Sequence, residues 1–297
     1  MIVTAHSEAG PRADNQDAYH LGGTLRLGDE PVPDASRGRV VLMADGMGGA
    51  AAGEEASRAA CDAAAREFYR CTADDPGLRL VSAFDAAHSQ IRDLVREDPR
   101  REGMGTTLVA LALDAPLPAC QCGHLTDARM GYKPDAEAAR KAIGPHHTPI
   151  RCTRYAKHAG LSRCGITVAN VGDSRCYFGS RAVDGSLNLR QVTEDHSVVG
   201  KGLRRGRITA EQAARSPVRH VVTRAVGTRG GPPDVDVFQL SCLPGDVLIL
   251  CSDGLWEALD EGRLRELLED PAVDAERLVR EALPRATDNA TAVLVRV

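Results

Sequence analysis

The chain has 297 residues, 26% of them charged and 43% hydrophobic, an ordinary globular composition that excludes a disordered polypeptide. Its net charge of −4, from 37 basic and 41 acidic residues, argues against a general nucleic-acid binder. No apolar run approaches the about 20 residues of a membrane span. Met1–Gly10 has neither a basic start nor an apolar core, so no signal peptide is expected. The nine cysteines are odd in number and scattered, which reads as reduced thiols in a cytoplasmic protein.

In chain order, Val40–Ala44 reads as the first strand, rich in Val and Leu and bounded by turn residues. A helix follows over Ala50–Tyr69, where small apolar residues recur at three- and four-residue steps, and a second over Ala83–Val95. Further strands are expected at Thr107–Leu113, Ile166–Val171, Arg175–Phe178, Val235–Leu240 and Val247–Cys251. Helices over Arg263–Leu268 and Ala275–Leu283, the latter capped by Asp274, precede a last strand at Ala290–Val297. Regular strand–helix alternation is missing, so mixed antiparallel sheets covered by helix pairs fit better than a doubly wound parallel sheet.

Residues 114–165 stand apart. They hold four of the nine Cys, four of the nine His, and eight basic against four acidic residues. They also separate two strands that could pair through a short turn. The segment therefore reads as a basic, Cys/His-rich insertion in a single domain spanning 1–297. Its cysteines Cys120, Cys122, Cys152 and Cys164 could offer a structural zinc site, but no clean Cys-x-x-Cys pair appears; loose thiols in a long loop are the other reading.

Three apolar strands run into aspartates: Asp45-Gly46, Asp253-Gly254 and Asp173. Asp288 instead precedes the last strand, and if that strand is antiparallel its start lies where the others exit. Asp17 also precedes a short apolar piece. Five carboxylates at one end of the sheets would repel one another and suit hard cations such as Mg2+ or Mn2+, not zinc. The plain alternative is that Asp-Gly is a common turn dipeptide.

Eight motifs appear in order: Arg12-Ala-Asp-Asn-Gln-Asp17, ADGMGG at 44–49, GEEAS at 53–57, GMGTT at 103–107, NVGDSR at 170–175, TEDHS at 193–197, CSDG at 251–254 and TDNAT at 287–291. In these the chain resembles the metal-dependent protein phosphatases of the 2C type, everywhere except 114–165. The resemblance implies an α+β fold, a four-layer α-β-β-α sandwich of two antiparallel sheets with helix pairs outside. It implies a cytoplasmic, monomeric protein serine/threonine phosphatase that opposes a Ser/Thr kinase and acts on phosphorylated proteins through a water activated between two Mn2+ or Mg2+ ions. In that scheme Asp45 bridges the ions, the Gly46 carbonyl ligates one, Asp253 and Asp288 complete the ligands, and Asp17 acts through water. Asp173, with Asp253, matches the place of a third, weaker ion.

Arg12 would bind the substrate phosphate, because a guanidinium fork matches phosphate oxygens; a surface salt bridge is the alternative. Gln16, where relatives often carry Glu, and Asn289 would support the ligands. Met47 stands where many members have a histidine, so the leaving-group acid has no assigned residue. Val198–Arg219 resembles the flap beside the family's active site and carries six basic residues against Glu211, suited to acidic substrate chains or to a solvated helix face. Thr106 and Thr107 read as structural residues near the site, Trp256 as core or rim, and His196 and His220 as packing or flap residues. The functional alternative is a catalytically weak regulator of the same fold that binds phosphoproteins.

Overall fold

The computed structural model describes residues 1–22, 38–48, 50–113, 164–182 and 185–297. The elements are β1 (Ile2–Glu8), β2 (Asp17–His20), β3 (Arg39–Met47), α1 (Ala50–Arg70), α2 (Pro76–Glu97), β4 (Gly105–Thr106), β5 (Leu108–Leu113), β6 (Cys164–Val171), β7 (Arg175–Arg181), β8 (Leu187–Gln191), α3 (Val198–Arg204), α4 (Ala210–Ala214), β9 (Asp236–Cys242), β10 (Val247–Cys251), α5 (Asp253–Trp256), α6 (Glu261–Glu269), α7 (Ala275–Ala282) and β11 (Ala290–Arg296). One sheet has the order β1-β11-β10-β7-β8 and the other β2-β3-β5-β6-β9, with β4 added to β3. Neighbouring strands run antiparallel in both.

The central strands are apolar on both faces because each face is covered. Along β3, Val41 and Met43 point into the layer between the sheets, where they meet Phe178, Leu248, Leu250 and Val293 of the facing sheet. The alternate residues Val40, Leu42 and Ala44 lie under α1 and α2, packed with Phe68, Phe84 and Ile91. On the opposite outer side, Ile249, Ala292 and Leu294 lie under α6 and α7, against Leu264, Leu268 and Leu278. Three apolar layers thus hold four structural layers, the expected α-β-β-α sandwich.

Helix boundaries follow their caps. α2 begins at Pro76, earlier than the alanine pattern indicates, because Asp75 accepts the Leu78 N–H (3.0 Å) and Pro76 fills the first helical position. Asp274 caps α7 as expected, accepting the Arg277 N–H at 2.9 Å. Among the described residues, no helix is long and apolar enough to cross a membrane.

β5 and β6 pair directly, with Leu113 opposite Ile166, so the described residues that flank 114–163 sit side by side. Cys164 and Gly165, assigned by composition to the insertion, are the first residues of β6, in register with Cys242 and Ser241. The other zinc candidates, Cys120, Cys122 and Cys152, lie outside the described residues.

Candidate active site

Backbone topology gathers the five aspartates. Asp45 lies near the end of β3, in register with Asp17 of the neighbouring β2. β10 and β11 are antiparallel, so Asp253, just after β10, comes beside Asp288, just before β11. Asp173 sits in the turn from β6 to β7. Asp45, Asp173, Asp253 and Asp288 line one cavity of about 450 Å³, together with Arg12, Gly46, Met47 and His220. Asp17 is buried behind that wall rather than on it.

Neither Asp-Gly pair is a turn. Asp45-Gly46 lies inside β3, which continues to Met47 and pairs there with β4, and Asp253-Gly254 opens α5. Their glycines are required by close approach: a Cβ on Gly46 would stand 2.1 Å from the Gly53 carbonyl oxygen, and one on Gly254 2.2 Å from that of Asn289. Each glycine thereby lets the backbone next to its aspartate press against a neighbouring segment at the cavity.

The carboxylates have little countercharge for their number. Burial is the main reason that Asp17 is pushed up to about 7, with Asp253 and Asp288 adding repulsion against the hydrogen bond from Thr291 and the lowering influence of the nearby Ser252 hydroxyl. Burial likewise raises Asp173 to about 7, helped by Asp253, and Asp253 to about 6, helped by Asp288. Asp45 is raised well above the ordinary carboxylate range, first by burial and then by Asp17, Asp253, Asp173 and Asp288. Asp17 Oδ1 and Asp253 Oδ1 are buried without a hydrogen-bond partner among the described residues.

Arg12 supplies one compensation, its Nη2 donating to Asp288 Oδ2 at 2.6 Å and its Nε to the Thr287 carbonyl at 3.4 Å. Among the described residues, no three His, Cys, Asp or Glu side chains already stand at ligating separation. The carboxylates ring the cavity at longer range. A buried, oxygen-only donor set with orphaned, mutually repelling carboxylates fits hard divalent cations, whose charge would reverse both penalties.

Backbone and hydroxyl contacts fix this ring. The Thr107 amide and the Thr106 hydroxyl both donate to the Asp45 carbonyl (2.9 and 2.8 Å), and the Asp45 N–H donates to Thr107 Oγ1 at 3.0 Å. Asn289 ties down the loop that carries Arg12: its Nδ2 donates to the carbonyls of Ala9 and Asp14, and its Oδ1 accepts the Gln16 N–H at 2.9 Å. The Gln16 carbonyl in turn accepts the Gly46 N–H. His196 is buried, with Nδ1 accepting the Gly172 N–H beside Asp173.

Sequence reasoning missed the support of the Asp173 turn. Trp256 Nε1 donates to the Asp173 carbonyl at 3.1 Å, Arg175 stacks 3.5 Å from the Trp256 ring centroid, and Arg175 forks onto Asp195 (3.0 and 2.7 Å). The motif NVGDSR contains Arg175, but nothing local couples it to a tryptophan far along the chain. His220, read as a packing or flap residue, lines the cavity with Nδ1 3.8 Å from Asp253 Oδ2 and 3.7 Å from Glu257.

Known proteins share this arrangement of sequence and fold. The Listeria innocua serine/threonine phosphatase stp is 28% identical over 264 residues, covering 86% of this chain and 83% of that protein. The crystal structure of the Mycobacterium tuberculosis serine/threonine phosphatase PstP superposes with a TM-score of 0.70 at 28% identity, covering 100% of this chain and 98% of that one. A second PstP structure, its catalytic domain in complex with two manganese ions, gives 0.67 at 29% identity and covers 99% of this chain and 96% of that one. Residues 6–290 match the protein phosphatase 2C family, and the chain belongs to it.

Proposed function

We propose that this protein is a serine/threonine protein phosphatase dependent on Mn2+ or Mg2+. The observation that carries the reading is the ring of desolvated, mutually repelling carboxylates at the mouth of which Arg12 stands. Asp45, Asp253, Asp288 and the Gly46 carbonyl would hold two ions, with Asp17 acting through water. Asp173 and Asp253 would hold a third ion. When bound, such ions lower the pKa of water and draw charge from the phosphoryl oxygens.

The chain's own groups do the rest. Thr106 and Thr107 hold Asp45 in place through its peptide. Asn289 holds the loop of Arg12 against the start of β11. Arg12 is exposed enough to exchange its Asp288 partner for a substrate phosphate, where its fork orients the phosphoester. The regulator alternative would call for a missing ligand, and the chain keeps Asp17, Asp45, Asp173, Asp253 and Asp288. Phosphorylated proteins are the substrates on this reading, and a Ser/Thr kinase is the opposing enzyme. Val198–Arg219 would be the flap, since Arg219 and His220 reach the cavity wall. A cytoplasmic location is part of the proposal, supported by the thiols of Cys61, Cys176 and Cys251, and a monomer is its expected state.

Kinetics on phosphothreonine peptides test the role of Arg12. With saturating Mn2+, Arg12→Ala is expected to raise KM about tenfold or more and change kcat less, because phosphate binding is lost in ground and transition states alike. An unchanged KM would remove Arg12 as the phosphate clamp.

A further inference from the structure

Asp17 is held by an unbroken row of side chains that crosses between the two sheets. Thr291 Oγ1 donates to Asp17 Oδ2 at 2.6 Å. Thr291 Oγ1 also lies 2.6 Å from Ser7 Oγ, and Asn15 Nδ2 donates to Ser7 Oγ at 2.8 Å. Asn15 Oδ1 closes the circuit by accepting the Asp17 N–H at 3.1 Å, which fixes which way the amide faces. Ser7 and Thr291 are register partners on β1 and β11, whereas Asp17 belongs to β2 of the other sheet.

The order of donors follows from the atoms. An amide NH2 only donates, so Ser7 accepts from Asn15. An ionised carboxylate only accepts, so Thr291 donates to Asp17 and must take its own hydrogen bond from Ser7. Every hydrogen in the row then points toward the carboxylate. Oδ2 is satisfied within the protein, while Oδ1 has no partner among the described residues. The same row bridges the Asp17–Asp45 pair to β11, the strand whose start carries Asp288.

We propose that Thr291, backed by Ser7 and Asn15, is the positioning residue that holds Asp17 by one carboxylate oxygen and reserves the other for the divalent-cation site. This inference rests on the metal-dependent reading above. Outer partners that orient a metal-binding carboxylate commonly contribute about 10- to 100-fold to affinity.

The test is Mn2+ binding to the full chain, followed by the electron paramagnetic resonance signal of free Mn2+, with melting curves in EDTA beside it. Thr291→Val keeps the shape of the buried side chain and removes the hydroxyl; it is expected to weaken Mn2+ binding about tenfold or more, with Thr291→Ser within about twofold of wild type. Ser7→Ala, at a half-buried edge-strand position, is expected to weaken binding about threefold. Wild-type affinity in Thr291→Val overturns the proposal, as does an equal loss in Thr291→Ser, which would assign the effect to packing of the methyl group. If Thr291→Val does not fold, Ser7→Ala decides: weakened binding sustains the row, and unchanged binding overturns it. A wild-type chain that binds no Mn2+ contradicts the metal reading itself and takes this inference with it, whereas tight wild-type binding with an unaffected Thr291→Val removes the inference alone.

Discussion

Asp45→Asn is expected to lower turnover about a thousandfold or more and, at the same time, to raise the melting temperature of the metal-free protein. The first effect follows from its place: Asp45 is the carboxylate repelled by each of the other four, hence the one central to them all. Losing one charged ligand there removes several kcal/mol of stabilisation from the reacting phosphate, and about 4 kcal/mol corresponds to a thousandfold in rate. The second effect has the opposite sign because, without cations, the same charge is a burden. Asparagine keeps the shape, cannot ionise, and can donate its amide to a neighbouring carboxylate. A gain of about 4 °C or more in EDTA is expected for a chain of this length, from relief of a few kcal/mol. Phosphate release and thermal melts in EDTA check the two together. A variant that loses both activity and metal-free stability would show Asp45 to be a structural residue.

The stabilisation that Mn2+ confers is expected to grow with pH between about 5 and 7.5, by about 2 kcal/mol or more. Asp17 and Asp173 are raised from 3.8 to about 7, and Asp253 to about 6. Between the unfolded and folded values, the native chain retains protons that the unfolded chain has released. Raising the pH through this window therefore favours unfolding of the metal-free protein. Bound cations need the deprotonated carboxylates and cancel that loss. His20 and His88 work in the other direction, since burial lowers their pKa values and protonation at low pH favours the unfolded chain. Their effect is common to both conditions, so the difference between urea unfolding in Mn2+ and in EDTA isolates the carboxylates. A stabilisation independent of pH would contradict the repulsive ring.

The strands that sequence reveals are those buried on both faces. Val247–Cys251 is found to the residue, because an unbroken apolar run has one use in a sandwich of covered sheets. β1 and β8 escape, since they form the two edges of their sheet and carry half-exposed, mixed side chains. The meeting of the aspartates is legible from strand direction alone: Asp17 and Asp288 stand at the starts of their strands, Asp45, Asp173 and Asp253 at or just past the ends of theirs, and antiparallel pairing brings them to one end. What holds them is less legible. Ser7 matters because it is in register with Thr291, 284 positions away, and no local pattern encodes that. Trp256 and Arg175 meet only after β7 and β10 pair. The Asp-Gly pairs invite a turn assignment on composition, whereas in the fold one continues a strand that pairs with β4 and the other opens a short helix.

Release of phosphate from a phosphothreonine peptide, measured first in Mn2+, then after chelation by EDTA, then after Mn2+ is restored, tests the central claim most directly. Among the described residues the cavity is lined by no cysteine and its carboxylates are poised for cations, so turnover should fall to about 1% or less on chelation and return on readdition. Undiminished turnover in EDTA would contradict the metal-dependent site.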